Sequence, residues 1–116
     1  MPQLMPTPVR SSRDVILRTP QWSQAREFYA SVLGLDVVEE SGSMLRVETG
    51  AIRLFVEKGA SHGPVFDFLV PDVQAARDRL IAAGCVLIEE NPAVPRCYLQ
   101  DPFGLVFNLG LKATPD

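Results

Sequence analysis

Histidine and cysteine, the side chains that most often ligate transition metals, are scarce in this chain. Its 116 residues include one histidine, His62, and two cysteines, Cys85 and Cys97. A small secreted domain stapled by disulfides needs several cysteines, so this composition argues against a disulfide framework and fits a reducing cytoplasm. Zinc, iron and nickel favour imidazole and thiolate ligands, so a site for these metals has few residues to draw on.

Long apolar runs, clustered basic residues and phosphate-binding glycine loops are also missing. The opening stretch MPQLMPTPVRSS contains three prolines and fits neither a signal peptide nor a membrane span. The eleven basic residues are scattered and the net charge is −3, which argues against nucleic acid as a partner. We therefore expect a cytoplasmic protein without a membrane or nucleic-acid partner, with residues 1–11 and the terminal KATPD as loose arms.

What the chain does contain is the composition and patterning of one globular domain spanning residues 1–116. Hydrophobic residues make up 47% and charged residues 22%. Two amphipathic segments with helical spacing, 21–34 and 72–83, alternate with short segments of strand character. The polar segment KGASHGP, residues 58–64, predicts a linker, with His62 as a surface loop residue. The predicted strands are 14–19, 35–40, 43–49, 51–57, 65–70, 85–90, 96–100 and 105–110.

The two halves of the chain repeat one another. Residues 30–40 read ASVLGLDVVEE and residues 80–90 read LIAAGCVLIEE, with Gly34 and Gly84 at the same place. Each half reads strand, helix and three strands, so we predict a duplication into modules 13–57 and 65–110. The predicted class is α+β. The two βαβββ modules lie edge to edge as a curled mixed sheet around a cavity, with the helices on the outer face.

The layout, together with FYASVLGL in the first half and DPFGLVF in the second, resembles the vicinal oxygen chelate superfamily. This group includes glyoxalase I, extradiol dioxygenases and bleomycin-resistance proteins. The resemblance implies that the chain forms homodimers. It also implies, in many members, a divalent metal held by side chains of the first and last strands of each module.

The positions that the resemblance assigns to metal ligands are poorly suited to a metal here. They fall on Asp14 and Val65 in the first strands, and on Phe55, or Glu57 after a slip of two residues, and Asn108 in the last strands. Val65 and Phe55 have no donor atom, so we expect no metal and no other cofactor. An oxygen site for Mg²⁺ or Mn²⁺ from Asp14, Glu57 and Asn108 stays open as an alternative.

Strand alternation divides the side chains into an apolar face toward the helices and a charged face toward the cavity. Buried unpaired charge is costly, so the charged face is wet, paired across strands or filled by a ligand. An open, solvated sheet face is the competing interpretation. The predicted ligand-binding residues are Arg18, Arg46, Arg53, Phe55, Glu57, Asp67, Tyr98 and Asn108.

The predicted function is therefore stoichiometric binding of a polar or planar organic molecule such as an antibiotic, as in the bleomycin-resistance-like branch. The arginines engage anionic groups, Glu57 and Asp67 cationic ones, and Phe55 and Tyr98 stack on planar parts. Two alternatives remain open: an enzyme, as a metal-dependent lyase or dioxygenase or with Glu57 as a general base, and a homodimer with a vestigial cavity. The ligand, the dimer arrangement and the presence of catalysis do not follow from the sequence.

Overall fold

The computed structural model describes residues 9–111, and within them the order strand, helix and three strands occurs twice. The α+β class and the βαβββ repeat predicted from the sequence are thus confirmed. No helix among these residues is long and apolar enough to cross a membrane. The elements are β1 (Arg10–Thr19), α1 (Trp22–Glu27) with a π-helical turn (Phe28–Val32), β2 (Asp36–Glu40), β3 (Met44–Glu48), β4 (Arg53–Lys58), β5 (His62–Val70), α2 (Val73–Ala82), β6 (Val86–Asn91), β7 (Arg96–Gln100) and β8 (Val106–Leu111).

Two boundary predictions were wrong, and both concern first strands. Strand β1 begins at Arg10, so the end of the predicted N-terminal arm is part of the sheet. Strand β5 begins at His62, so the predicted linker is shorter and His62 lies on a strand. Polar residues and glycine at these places hid the strands, because ladder pairing needs only the backbone. The rest of the N-terminal arm and KATPD lie outside the described residues.

The chain divides into two units, and the first is formed by Arg13–Phe66. Its strands have the order β2-β3-β4-β1, with β1 parallel to β4 and the other pairs antiparallel. Helix α1 covers one face, where Trp22, Leu45, Val47 and Val56 form the buried core. The Trp22 indole N–H donates to the Val56 carbonyl at 2.9 Å, which satisfies the one polar atom of this side chain.

The second unit combines the chain up to Ser12 with the chain from Asp67 onward. Its strand order is β5-β8-β7-β6. The core under α2 contains Val70, Phe107 and Leu109, which alternation predicts for the helix-facing side, and also Leu99. By strand alternation Phe66 falls on the same face as Phe68 and Val70, but it is 39% exposed. The core of this unit takes in Phe68 and Val70 from β5, and Phe66 lies outside it.

The first helix departs from the uninterrupted amphipathic helix that was predicted. After Glu27 it widens into a π-helical turn, closed by Leu33 N–H donating to the Phe28 carbonyl at 2.9 Å. The extra residue rotates the face of the helix, so Tyr29 packs against the core while Phe28 and Val32 are exposed. π-Helical turns of this kind are frequent at functional sites.

The predicted turns and stops have the expected geometry. Gly34 and Gly84 follow the helices with φ of +70° and +112°, a left-handed conformation that is costly for other residues. In the DPFG turn, the Asp101 carboxylate accepts from the amides of Phe103 at 2.9 Å and Leu105 at 3.0 Å. These contacts set the hairpin between β7 and β8.

We expect Asp72→Ala to lower the free energy of unfolding by about 1 kcal/mol, because Asp72 caps α2. Its side chain accepts from the Ala75 amide at 3.0 Å. Urea denaturation measures the change. Asp72→Asn keeps the acceptor and is the matched control, so an equal loss in both variants would contradict the capping role.

Candidate functional site

The face of the first unit opposite α1 carries five of the predicted ligand-binding residues. Alternation places it: Leu45, Val47, Leu54 and Val56 belong to the core, so their neighbours on β3 and β4 point the other way. The ladders pair Arg46 with Phe55, and Phe55 with Ile16. We call this surface the polar face. Its residues are Asp14, Ile16, Arg18, Met44, Arg46, Glu48, Arg53, Phe55 and Glu57, all partly buried.

One predicted ligand-binding arginine is already engaged by a carboxylate. The Arg53 Nε donates to Asp14 Oδ1 at 2.6 Å, and the two residues are direct register partners. Asp14 is therefore occupied by a cation rather than presented to a metal. Glu57 faces Arg18, four residues further along the ladder, which is about 13 Å at strand spacing. Side chains standing on the sheet at that separation do not converge on one ion, which argues against the alternative oxygen site.

Arg46 differs from the other arginines of the polar face. Its Nε is buried and has no hydrogen-bond partner among residues 9–111. Phe55 is its register partner on β4 and Glu39 its partner on β2, yet no ion pair with Glu39 forms. A buried donor without an acceptor costs about 1–3 kcal/mol, so this position is destabilising unless something supplies an acceptor. Its place beside an aromatic ring is suited to a planar anion.

Glu48, on the edge of the polar face, has a pKa below its ordinary value. The main cause is the Gly50 N–H, which donates to Glu48 Oε2 at 2.8 Å, and Arg13 adds to it from 2.5 Å. A lowered folded-state pKa contributes stability that is present above the unfolded pKa and lost as pH falls through the folded pKa.

We expect Arg13→Gln to raise the pKa of Glu48 only part of the way to its ordinary value, since the Gly50 contact remains. Side-chain carboxyl NMR across an acid titration measures this. A complete return to the ordinary value would mean that Arg13, rather than the turn backbone, sets the titration.

The other three predicted residues, Asp67, Tyr98 and Asn108, lie in the second unit. Asn108 Nδ2 donates to Asp67 Oδ1 at 2.9 Å, and Ser12 Oγ donates to Asp67 Oδ2 at 3.0 Å. The Asn108 Oδ1 accepts from the Cys97 amide at 2.9 Å. Both oxygens of Asp67 and both ends of Asn108 thus have protein partners, which orients this pair firmly.

Tyr98 is the most buried of the predicted ligand-binding residues, at 3% exposure. Arg96 lies over its ring at 5.2 Å and donates to Glu89 Oε2 at 2.8 Å. Sequence reasoning missed Ser12, Glu89 and Arg96. The β6–β7 hairpin register, which pairs Glu89 with Tyr98, could have found the latter two.

The residues at the positions assigned to metal ligands do not fit a metal. Val65 is apolar and 1% exposed, Phe55 has no donor atom, and Asp14 and Asn108 are bonded to other side chains. Within residues 9–111, no three His, Cys, Asp or Glu side chains come together to hold an ion.

The two cysteines have the character of core residues. Cys85 and Cys97 are free, buried and part of the core of the second unit. Burial raises the pKa of each thiol. Both therefore stay protonated and are poor nucleophiles, as expected for Cys97 from the sequence.

Comparison with known proteins assigns the chain to a family. The sequence profile of the glyoxalase-like domain matches residues 14–110. The chain belongs to the glyoxalase-like domain family. The resemblance to the vicinal oxygen chelate superfamily is thereby confirmed, while no functionally curated protein matches the chain significantly.

Solved structures of the superfamily share the fold of this glyoxalase-like domain. A glyoxalase/bleomycin resistance protein/dioxygenase superfamily member from Vibrio splendidus is 18% identical with a TM-score of 0.63, covering 90% of this chain and 99% of its own. Homoprotocatechuate 2,3-dioxygenase from Brevibacterium fuscum, in complex with 3,4-dihydroxyphenylacetate, is 22% identical with a TM-score of 0.64. That match covers 93% of this chain and only 38% of the dioxygenase. At these identities the likeness shows the fold alone.

Proposed function

We propose that this glyoxalase-like domain binds a small planar organic anion on the polar face of the first unit, without a metal ion and without breaking a bond. The observation that carries the proposal is the buried, unpartnered Nε of Arg46 beside Phe55. An incoming carboxylate or phenolate supplies the missing acceptor, and the Phe55 ring stacks on the planar part of the ligand.

The other predicted residues have graded roles in this proposal. Arg53 is neutralised by Asp14, so it stabilises the polar face and does not contact the ligand. Arg18 and Glu57 lie on the same face and contribute polar contacts at one end. The predicted residues of the second unit have no part in this proposed site, because Asp67 and Asn108 bond to each other and Tyr98 is buried.

The alternative function is a metal-dependent lyase or dioxygenase. The presence of dioxygenases among the structural neighbours favours it. Its requirement for a ligated metal is what separates it from simple binding. The Brevibacterium fuscum enzyme was crystallised with 3,4-dihydroxyphenylacetate, an aromatic carboxylate. That compound is therefore a suitable first probe for both functions, since it is an anion with a planar ring as well as a dioxygenase ligand.

The experiment is a thermal-shift screen of aromatic carboxylates, including 3,4-dihydroxyphenylacetate, and of planar antibiotics. The protein is run once after treatment with chelator and once after incubation with Mn²⁺, Fe²⁺, Ni²⁺ or Zn²⁺. We expect hits that stabilise the chelated protein equally well. Hits that need a stoichiometric metal, or consumption of the probe with oxygen uptake, would replace the binding function with the enzymatic one.

A homodimer located in the cytoplasm, with an antibiotic as one possible ligand class, is part of the same proposal. Light scattering coupled to size exclusion measures the mass directly. A monomeric mass at micromolar concentration would contradict the dimer and leave the proposed role of Arg46 unaffected.

A further inference from the structure

A second cleft lies in the first unit, where β1 ends and β5 begins. It has a volume of about 410 Å³ and is lined by Leu17, Arg18, Thr19, Tyr29, Ser61 and His62, with Ala25 and Gly63 completing it. Helix α1 and its π-helical turn supply Ala25 and Tyr29. The cleft therefore adjoins the helix-covered side of the sheet, and it shares Arg18 with the polar face.

The chemistry of the lining is that of an oxyanion site. Arg18 brings a permanent cation with several donors, and His62 adds an imidazole. Tyr29 and Ser61 each add a hydroxyl to the lining. No carboxylate lines the cleft, although Glu57 is the register partner of Arg18 on β4. The side chains of Leu17 and Ala25 provide an apolar wall.

The position of Arg18 is fixed by a glycine. A Cβ added at Gly59 would lie 2.7 Å from Arg18 Cδ and 3.1 Å from its Cγ, so the arginine stem rests directly on the glycine backbone. The Gly59 amide also donates to the Thr19 carbonyl at 3.1 Å, which ties the β4–β5 turn to the end of β1. Any other residue at 59 would push the guanidinium from this place.

The orientation of His62 is set by its own backbone neighbour. Its Nδ1 lies 3.1 Å from the Gly63 carbonyl oxygen. A carbonyl only accepts, so Nδ1 carries a hydrogen, and His62 donates from Nε2 to an oxyanion only in its imidazolium form. The ring, Arg18 and Tyr29 thus come from three different elements, β5, β1 and the π-helical turn, and line one cleft.

We propose that this cleft is a second ligand site, for a carboxylate or phosphate carried on a small apolar group. The oxyanion lies between Arg18 and His62, and the apolar group lies against Leu17 and the Tyr29 ring. This inference shares Arg18 with the function proposed above, but it uses neither Arg46 nor Phe55.

The test is a ¹⁵N NMR titration of the full chain with phenyl phosphate and, separately, with benzoate. We expect the amides of Thr19, Ser61 and Gly63 to shift and saturate with at least one probe; which one identifies the preferred oxyanion. Arg18→Gln and His62→Gln each weaken binding at least tenfold. Gly59→Ala, which leaves the charge unchanged, weakens it about threefold or more by displacing Arg18.

Lys58→Gln is the matched control, because it removes one positive charge one residue from Gly59 without touching the lining. It changes the affinity less than twofold if the cleft is a specific site. Equal weakening by Lys58→Gln and Arg18→Gln would reduce the effect to general electrostatics and overturn the proposal. Shifts that do not saturate with either probe, or that centre on Arg46 and Phe55, would overturn it as well. Phenyl phosphate shifts at Ser61 that persist in Arg46→Met separate this site from the first one.

Discussion

We expect that replacing Arg46 with methionine makes the ligand-free protein more stable and weakens ligand binding. The variant removes a buried donor that has no acceptor among the described residues, and it keeps an unbranched stem against Phe55. The free energy of unfolding without ligand rises by about 1 kcal/mol, because the desolvation cost of Nε disappears. Affinity for the aromatic carboxylate falls about 10- to 100-fold, the worth of one charge-assisted hydrogen bond.

Arg53→Met is the control for this prediction. It makes the same chemical change on the same face, but it leaves the Asp14 carboxylate without the partner that now lies at 2.6 Å. Its stability therefore falls rather than rises. Chemical denaturation and calorimetric titration measure both quantities in both variants. A loss of stability in Arg46→Met equal to that in Arg53→Met would mean that Arg46 has a structural partner and no ligand role.

Trp22→Ala lowers the free energy of unfolding by about 3–5 kcal/mol, the largest stability effect we expect from a single substitution. Trp22 is 9% exposed and packs against Leu45, Val47 and Val56 in the core of the first unit. Its truncation leaves a large cavity under α1 and removes the hydrogen bond to the Val56 carbonyl. Unfolding in urea, followed by circular dichroism, measures the loss.

Two further variants divide this effect into its parts. Trp22→Phe keeps most of the apolar area and loses the hydrogen bond, so it costs about 1–2 kcal/mol. Val32→Ala alters an apolar residue of the π-helical turn that is 69% exposed and changes stability by less than about 0.5 kcal/mol. A small effect of Trp22→Ala would show that α1 contributes little to the core.

The sequence was sufficient for the fold because its local signals agree with one another. Alternation identified the core residues Leu45, Val47, Phe107 and Leu109, and glycine marked the end of each helix. The same order of elements recurs at a spacing of about fifty residues, so each half of the sequence supports the prediction made for the other. Sequence-based prediction failed where the backbone alone forms the structure. The start of β5 at His62–Pro64 and the π-helical turn have no side-chain pattern that predicts them.

The candidate site was only partly predictable, because its chemistry depends on which side chains face each other across neighbouring strands. Alternation placed Arg46 and Arg53 on the same face, but it could not distinguish them. Cross-strand register decides that Arg53 meets Asp14 while Arg46 meets Phe55 and keeps a bare Nε. Register depends on the bulge between Val37 and Glu39 and on the turns, which a single sequence does not fix.

Calorimetric titration of chelator-treated protein with the strongest hit from the carboxylate screen, in wild type and Arg46→Met, tests the central claim most directly. We predict one saturable site in wild type without added metal, and an affinity at least tenfold weaker in Arg46→Met. Equal affinities in the two proteins, or binding in wild type only after a divalent metal is restored, would contradict the account.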